Sequence, residues 1–550
     1  MNMKSYRFVL GICATAISLV GCGGSPTLVS TPVKNIDAIP LKISELTESE
    51  KKNWGHADLL TDTIPGMSVD KAYKEIIGNK KGTKVIVAVL DSGIDLEHED
   101  LDDVIWTNKK EIPGNNKDDD NNGYIDDIHG YNFLGESYNE QLELARILQL
   151  KLGDASMQAA AKKAFDEGRA PLLQNKQQLE QISQAVKNAD KAVQEHLGKK
   201  EYTKEDVAGI KPKDQAMQQN VGILTQMFNF GESIPEVIKL IDGDLKSIAE
   251  RLNYNYNVDF KGRTVVGDNP YDITDTNYGN GNPQSRYADE SHGTHVAGII
   301  AAERNNGKGA NGVANNVAIM SVRCVPNGDE YDKDVALGIR YAVDNGAKII
   351  NCSFGKSFSP NADWVYDAIK YAASKDVLIV HAAGNDGVNL DDPKNPNFFN
   401  DQVNNGAEIA DNVITVGALA HKYGSEMVAT FSNYGAINVD TFAPGAQIYS
   451  TFPEDTYETI GGTSMAAPGV AGIAALVRSQ YPKLTASQVK HIIMESGLSS
   501  KSAVILGGDP SKSMSFDGAS KSGKMANAYN ALIMADNVAK GKIKLQKNAK

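Results

Sequence analysis

The sequence predicts an α/β protein: a doubly wound, mainly parallel sheet with helices on both faces, together with an all-α insertion. Val85 to Leu90 is an unbroken apolar run, as expected of a strand buried on both faces of a parallel sheet. Similar runs recur later and alternate with helical stretches, at the spacing of strand–helix–strand crossover units. Between the first run and the others lies a segment rich in Gln, Lys, Ala and Leu, which indicates helices.

The composition is that of a globular chain. Its 550 residues allow a few domains, 41% of them are hydrophobic and 23% are charged, which argues against fibrous or multi-span membrane proteins. The formal net charge of −13 would repel phosphate backbones. Nucleic acid is therefore excluded as the expected partner.

The first 21 residues are predicted to be a lipoprotein signal peptide. Lys4 and Arg7 precede a mainly apolar run, Phe8 to Val20, that suits a secretory signal and is too short to span a bilayer comfortably. The following LVGC string resembles the lipobox of bacterial lipoproteins, which implies acylation of Cys22. The alternative is a plain signal peptide. Either way the protein is expected outside the cytoplasm, and a lipid anchor would hold it at the periplasmic face of a membrane or at the cell surface.

The remaining chain is divided by composition. Residues 22–80 begin with a Ser/Thr/Pro-rich tether and continue as loops and short helix, whereas 81–135 and 255–535 carry the α/β pattern. Further apolar runs occur at 317–325, 347–354, 376–385 and 412–419.

Residues 136–254 form the helical insertion, in which Leu172, Leu179, Val186 and Val193 are spaced by seven, with Ile182 and Ala189 between them. This pattern predicts a helical hairpin or small bundle. It is interpreted as a surface insertion packed on the parent domain, the alternative being a dedicated partner-binding module. Residues 536–550 are a basic tail.

Cysteines add little constraint. Apart from the N-terminal region only Cys324 and Cys352 remain, too few for a disulfide scaffold. They could pair, but their apolar surroundings favour buried thiols.

Candidate catalytic residues stand at the ends of strands and the starts of helices. Asp91 directly follows the first apolar run, where ligands of parallel sheets gather, although a lone acid there is often only a cap. His292 opens a stretch of small residues that lets a helix pack closely beneath an imidazole, which can exchange a proton near neutrality. His295 could pair with it on a metal, but no acidic third ligand follows at helical spacing. Ser464 lies where a glycine pair leads into a long apolar helix.

These residues give the order acid, base, nucleophile, and their surroundings carry a family resemblance. VAVLDSGID, SHGTHVAG and GTSMAAP, together with HAAGND, resemble the motifs of subtilisin-like serine peptidases over about residues 80–135 and 260–500. The resemblance implies peptide-bond hydrolysis through an acyl-enzyme intermediate, with Ser464 as nucleophile, His292 as general base and Asp91 orienting the imidazole. Proteins or peptides would be the substrates.

The resemblance implies further site residues. Asn385 would donate its side-chain amide to the oxyanion together with the backbone N–H of Ser464. Two segments would flank the substrate backbone and the first specificity pocket, and their residues are Ser353, Phe354, Gly355, Ala382, Ala383 and Gly384. One departure from the family is the 201-residue separation of Asp91 and His292, which the helical insertion explains.

Two non-catalytic alternatives stay open. One is a catalytically silent, subtilisin-like binding protein, which would be expected to lack a triad residue or Asn385, and none is missing. The other is a scaffold protein acting through the helical insertion.

A loop after the first strand is predicted to bind structural calcium. Five residues follow the alternating spacing of a calcium loop: Asp118, Asp120, Asn122, Tyr124 and Asp126. Gly123 stands at the position of the sharp turn, but His129 replaces the usual bidentate glutamate, so that Asp127 or a remote carboxylate would have to complete the shell. Family members often carry calcium in loops, which favours this interpretation over a solvated acidic loop.

Overall fold

The computed structural model describes residues 36–38, 42, 44–286 and 290–545. The predicted signal peptide, the start of the tether with Cys22, and the last five residues of the basic tail lie outside this part of the chain. Within it, no helix combines the length and the apolar character that crossing a bilayer requires.

The centre of the molecule is a nine-stranded sheet in the order β10-β13-β7-β6-β5-β4-β1-β3-β2. All neighbouring strands in it are parallel except β10 and β13. The remaining strands form two antiparallel pairs, β8–β9 and β11–β12. The bounds are β1 Val85–Asp91, β2 Gly130–Asn132, β3 Val317–Arg323, β4 Ile349–Cys352, β5 Leu378–Ala382, β6 Val413–Leu419, β7 Thr441–Pro444, β8 Ile448–Phe452, β9 Thr456–Ile460, β10 Leu498–Ser499, β11 Ala503–Leu506, β12 Asp509–Ser515 and β13 Lys524–Met525.

Helices cover both faces of the sheet, as predicted for a doubly wound fold. Along β1, Val87 and Val89 join one buried apolar cluster, whereas Ala88 and Leu90 join the other. The α-helices are α1 Glu48–Asn53, α2 Leu59–Asp62, α3 Val69–Ala72, α4 Glu143–Leu150, α5 Ala155–Leu197, α6 Lys204–Ala208, α7 Gln215–Met227, α8 Ile234–Glu250, α9 His292–Ala301, α10 Asp332–Asp344, α11 Ala362–Ser374, α12 Thr463–Gln480, α13 Ala486–Ser496 and α14 Ala528–Ala539. Each predicted apolar run contains a strand, and the fold class is confirmed.

Helices α9 and α12 pack against the cluster that contains Val87, and both are almost wholly buried. Close packing of α12 depends on its small residues. A Cβ added at Gly472 would lie 2.5 Å from Val313 Cβ. The two helices that begin at His292 and Thr463 are thereby fixed against the sheet.

The insertion is a small bundle of helices, as its sequence indicates, and the residues spaced by seven lie on one 43-residue helix, α5, that packs against α7 and α8. Val186, Ala189 and Val193 are fully buried in this packing. The expectation that Ile182 also fills the seam is wrong, because its side chain is 42% exposed.

The segment before β1 is more closely integrated than a spacer. Trp54 is buried, and its indole Nε1 donates to the backbone carbonyl of Gln447 at 2.9 Å. Leu59 and Met67 join the same core cluster as Val87. The residues from α1 to α3 therefore contribute to the core of the α/β unit.

Cys324 and Cys352 are unpaired and fully buried, as their surroundings predict. Burial raises the pKa of both thiols well above the ordinary value. The two residues behave as small core side chains.

Candidate active site

Asp91 and His292 meet at the carboxyl edge of the sheet. Asp91 ends β1 and is buried, and its Oδ1 lies 2.8 Å from Nδ1 of His292, the first residue of α9. Gly293 permits this approach, because a Cβ there would lie 2.2 Å from the backbone oxygen of Gly93. The contact holds one imidazole nitrogen against the carboxylate and leaves Nε2 for a proton-transfer partner.

The environment of His292 shifts its protonation equilibrium. Burial acts to lower the pKa of the imidazole, but the charge of Asp91 and the hydrogen bond to it outweigh this effect. The pKa of His292 is therefore raised above its ordinary value. A base of this kind accepts a proton more readily than a free imidazole.

Ser464 is the second residue of α12 and is held against the segment that follows β4. Its hydroxyl donates to the backbone carbonyl of Ser353 at 3.0 Å, and the hydroxyl of Ser353 donates to the backbone carbonyl of Ser464 at 2.8 Å. A hydroxyl carries a single proton, so the Ser464 side chain must leave this carbonyl before a base can take that proton.

Asn385 follows β5 and is oriented by the start of α12. Its Oδ1 accepts from the backbone N–H of Thr463 at 2.8 Å and from the Thr463 hydroxyl at 3.0 Å, which leaves Nδ2 free to donate elsewhere. A Cβ added at Gly462 would lie 3.5 Å from Nδ2 of Asn385 and 3.6 Å from the backbone nitrogen of Ser464. Two N–H donors therefore flank one small space beside Ser464, an arrangement suited to an oxyanion.

The two predicted substrate segments lie side by side, because β4 and β5 are neighbours in the sheet. Asn397 lies between them, and its Nδ2 donates to the Ala383 carbonyl at 3.0 Å. On the other side of that amide, a Cβ added at Gly355 would lie 2.7 Å from Asn397 Oδ1. Sequence reasoning missed Asn397, since it stands in an irregular loop with no motif around it.

The remaining predicted contacts are held by polar side chains. Nε2 of His381 lies 2.8 Å from the carbonyl oxygen of Phe354, and burial lowers the pKa of this histidine to about 4. Gly384 has φ of +96°, a conformation that favours glycine, and its N–H donates to the Thr463 hydroxyl at 3.0 Å. The edges of both segments are thereby fixed near Ser464.

His295 lies away from the reacting groups. Its Nε2 is 3.1 Å from the backbone carbonyls of Ile448 and Glu458, and burial lowers its pKa to about 4. It therefore ties α9 to the β8–β9 hairpin.

The predicted calcium loop is held together by hydrogen bonds from its own backbone amides to its carboxylates. Asp118 accepts the backbone N–H groups of Asn122 and Gly123, and Asp126 accepts those of Asn115 and Asn116. These carboxylates stabilise the turns of the loop. The backbone N–H of Asn122 also lies 3.2 Å from Asp120 Oδ1, so that Asp118 and Asp120 converge on the same amide.

The side chains of Asn122 and Tyr124, at two more predicted positions, contact other residues in or beside the loop. Asn122 accepts the backbone N–H of Tyr124 at 2.8 Å and donates from Nδ2 to Asp127 at 3.1 Å. The ring of Tyr124 packs edge-on against Tyr131 and Tyr341. Asp120 alone among the five predicted ligands lies in a carboxylate cluster.

That cluster joins Asp120 to Glu111 and Asp127, whose carboxylate oxygens lie within 4.8 Å of one another. Glu111 is buried and its Oε2 has no hydrogen-bond partner. Asp127 is fully buried, and burial raises its pKa to about 6. Hard oxygen ligands with an orphaned carboxylate oxygen fit a divalent cation such as calcium.

Comparison with known proteins agrees with the fold and the motifs. The family model described as "Subtilase family" matches residues 82–522. A "Thermophilic serine proteinase" from Bacillus sp. (strain AK1) is 40% identical over 227 residues, which are 40% of this chain and 49% of that protein. A "Cell wall-associated protease" from Bacillus subtilis (strain 168) is 37% identical over 207 residues, 37% of this chain and 21% of that protein.

Among solved structures, proteases from Pseudoalteromonas arctica match 44% of this chain and 70% of theirs at 30% identity, with a TM-score of 0.37. The matched part of the chain covers about half of the first curated relative's length and 21% of the second's. The family model, by contrast, extends over most of the chain, from just before β1 to just before β13. On this match, the chain belongs to the subtilase family.

Proposed function

We propose that the chain is a serine endopeptidase that hydrolyses peptide bonds with Asp91, His292 and Ser464. The observation that carries the proposal is the 2.8 Å contact between Asp91 and His292, which are 201 residues apart in sequence. They belong to β1 and α9, which both pack against α12, the helix of Ser464. The names of the relatives support the same chemistry. The triad, Asn385 and Gly384 are all present, which disfavours a silent binding protein.

Acylation would begin when the Ser464 hydroxyl turns from the Ser353 carbonyl toward His292. Oγ attacks the scissile carbonyl carbon while His292 Nε2 takes its proton, and Asp91 stabilises the imidazolium. Nδ2 of Asn385 and the backbone N–H of Ser464 donate to the oxyanion. The C–N bond then breaks, His292 returns the proton to the leaving amine, and water hydrolyses the acyl-enzyme by the same path.

The substrates would be proteins or peptides, and the enzyme would work outside the cytoplasm. A relative named for the cell wall and the apolar N-terminal run both favour this location. We propose that Cys22, outside the described residues, carries the lipid that holds the enzyme at a bacterial membrane.

The test is reaction with a fluorophosphonate probe. Protein lacking residues 1–22 is incubated with the probe, and labelled peptides are identified by mass spectrometry beside a Ser464→Ala control. Labelling at Ser464 that disappears in the control is the expected result. Folded, calcium-supplied protein that remains unlabelled, and that leaves casein intact, would refute the assignment.

We also propose that Glu111, Asp120 and Asp127 hold a structural calcium ion, with backbone carbonyls or water completing six to eight oxygen ligands. The support is the convergence of the three carboxylates and the unpartnered Oε2 of buried Glu111. The ion would offset their mutual repulsion and fix the loop, and it would take no part in peptide hydrolysis.

The calcium assignment is tested by the Tm in excess calcium and in EDTA. The wild-type Tm should rise with calcium, the Glu111→Gln variant should lose most of that rise, and Asp118→Asn should keep it. Equal loss in the two variants would favour the ligand set predicted from spacing.

A further inference from the structure

A buried lysine stands next to the proposed substrate edge. Lys356 directly follows Gly355, and its Nζ lies 2.7 Å from Glu143 Oε2, 2.7 Å from the carbonyl of Glu330 and 2.8 Å from Asp332 Oδ1. An ammonium group has three N–H bonds, so all of them are used. The side chain is only 2% exposed, and its head is therefore held from three directions.

Glu143 ties this lysine to the first helix of the insertion. It is the first residue of α4, is buried, and also accepts from Arg146 at 2.7 Å. Arg146 in turn donates to the carbonyl of Asp329 at 2.9 Å and stacks on the Tyr331 ring at 3.8 Å. Helix α4 is thus bonded to the loop before α10 as well as to Lys356.

The backbone of Lys356 continues the proposed substrate segment 353–355. Its N–H donates to the Phe398 carbonyl at 3.1 Å, and the Phe398 N–H donates to the Lys356 carbonyl at 2.8 Å. Phe398 follows Asn397, which donates to the Ala383 carbonyl of the neighbouring substrate segment. Two residues further on, Phe358 packs against the apolar cluster that contains Leu144 and Ile147 of α4. A shift of α4 would therefore reach the edge at Gly355 through a buried ion pair and an apolar contact.

Such a buried pair enforces position more than it adds stability. Burying both charges costs desolvation free energy, and their attraction largely offsets this cost. The net stabilisation relative to an apolar pair is therefore small. Removing Glu143 leaves Lys356 with Asp332 as its carboxylate partner and takes the paired carboxylate from Arg146, so the head of Lys356 is no longer held from all three directions. Residues 354–356 would move with Lys356, whereas Ser353 is held by two hydrogen bonds to Ser464, and Asp91 and His292 belong to β1 and α9.

We propose that Glu143 is a positioning residue, through which helix α4 of the insertion sets the edge at Phe354 and Gly355 that binds the peptide substrate. The insertion is then part of substrate recognition in addition to being a surface addition. This inference rests on the proposed peptidase function, since it assigns a role in the same site.

The experiment separates substrate binding from the chemistry at Ser464. For wild type, Glu143→Ala and Glu143→Gln, we would measure KM and kcat for an extended chromogenic peptide and the rate of phosphonylation by a small fluorophosphonate, well below each Tm. The matched control is Lys187→Ala, which breaks the half-exposed ion pair to Asp242 within the insertion. Exposed pairs of this kind contribute little.

Glu143→Ala should raise KM for the peptide on the order of tenfold, because misplacing a binding edge weakens extended substrates. Phosphonylation, which needs Ser464 and His292 but no bound peptide chain, should stay within about twofold. Glu143→Gln keeps the shape and one acceptor, so it should show the same split to a smaller degree, and Lys187→Ala should show none.

A lowered Tm with an unchanged ratio of KM to phosphonylation rate in the folded Glu143 variants would overturn the proposal. If Glu143→Ala does not fold, Glu143→Gln decides by the same ratio. Failure of the peptidase assignment looks different, since the wild type itself would then not be labelled at Ser464.

Discussion

Replacing Asn385 by alanine removes the side-chain amide that we propose donates to the oxyanion. In the structure this amide has its oxygen fixed by two bonds from Thr463, so that Nδ2 is presented in advance of the reaction. Loss of one such donor in subtilisin raises the barrier by about 2.7–4 kcal/mol, or about 10²–10³ in kcat. We expect Asn385→Ala to lower kcat by that factor and to change KM little, because the charge appears only in the transition state.

The assay is peptide hydrolysis normalised to active sites counted by the fluorophosphonate burst. This correction matters because the variant also leaves the buried backbone N–H of Thr463 without its acceptor, which costs about 1–3 kcal/mol of folding free energy. Asn395→Ala is the matched control. Asn395 lies in the neighbouring loop and donates to the Asn389 carbonyl at 2.9 Å, away from Ser464.

A double-mutant cycle tests the mechanism of orientation. Thr463→Val removes one of the two bonds to Asn385 and also the acceptor of the Gly384 N–H. The first loss should lower kcat by about fivefold to tenfold, a single hydrogen bond being worth about 1 kcal/mol, and the second should raise KM. In the Asn385→Ala background the same change should have almost no effect on kcat. Additive losses, or a loss that falls on KM alone, would refute the assignment of Asn385 to the oxyanion.

Four further outcomes follow from the structure. The raised pKa of His292 keeps the ring protonated and inactive at low pH, so the acid limb of kcat/KM should have its midpoint above about 6.5. Asp91→Asn removes the charge that raises this pKa, and should lower kcat about 10⁴-fold and move the limb to lower pH; an unmoved limb would contradict the pairing. EDTA should lower the Tm of the wild type and leave the Tm of Glu111→Gln almost unchanged, as read by calorimetry, and an equal fall in both would exclude Glu111 as a ligand. Gly355→Ala places a methyl group 2.7 Å from Asn397 Oδ1 and should raise KM for extended peptides about tenfold. Unchanged steady-state kinetics would show that Asn397 moves aside without affecting substrate binding.

The central sheet could be predicted from sequence because its strands are buried on both faces. A run such as Val85 to Leu90 has to be apolar throughout, and this leaves a pattern that a helix or an exposed strand does not. The β8–β9 hairpin left no such pattern, since β9 is largely exposed and carries polar residues. Exposed strands depend on partners elsewhere in the chain, which local periodicity does not reveal.

The residues of the two sites also differ in how clearly the sequence reveals them. Asp91, His292, Ser464 and Asn385 stand in contiguous motifs, and the structure places them at one edge of the sheet. Glu111 is different, because its carboxylate reaches Asp120 only through the fold of the loop. Spacing predicted a cation loop there, and the approach of Glu111 and Asp127 to Asp120 adds candidate ligands that spacing does not reveal.

A long insertion between Asp91 and His292 can leave their contact intact because its two ends meet. The backbone N–H of Leu142 donates to the carbonyl of Asn255 at 3.0 Å, so the chain leaves and re-enters the α/β unit at neighbouring points. Closing a long loop costs little more than closing a short one, since the entropy grows only with the logarithm of length. What the insertion adds is local to its base, where Glu143 holds Lys356. The same closure that separates Asp91 and His292 from the distal helices therefore places α4 beside Lys356, where we propose that it sets the substrate-binding edge without altering the reacting groups.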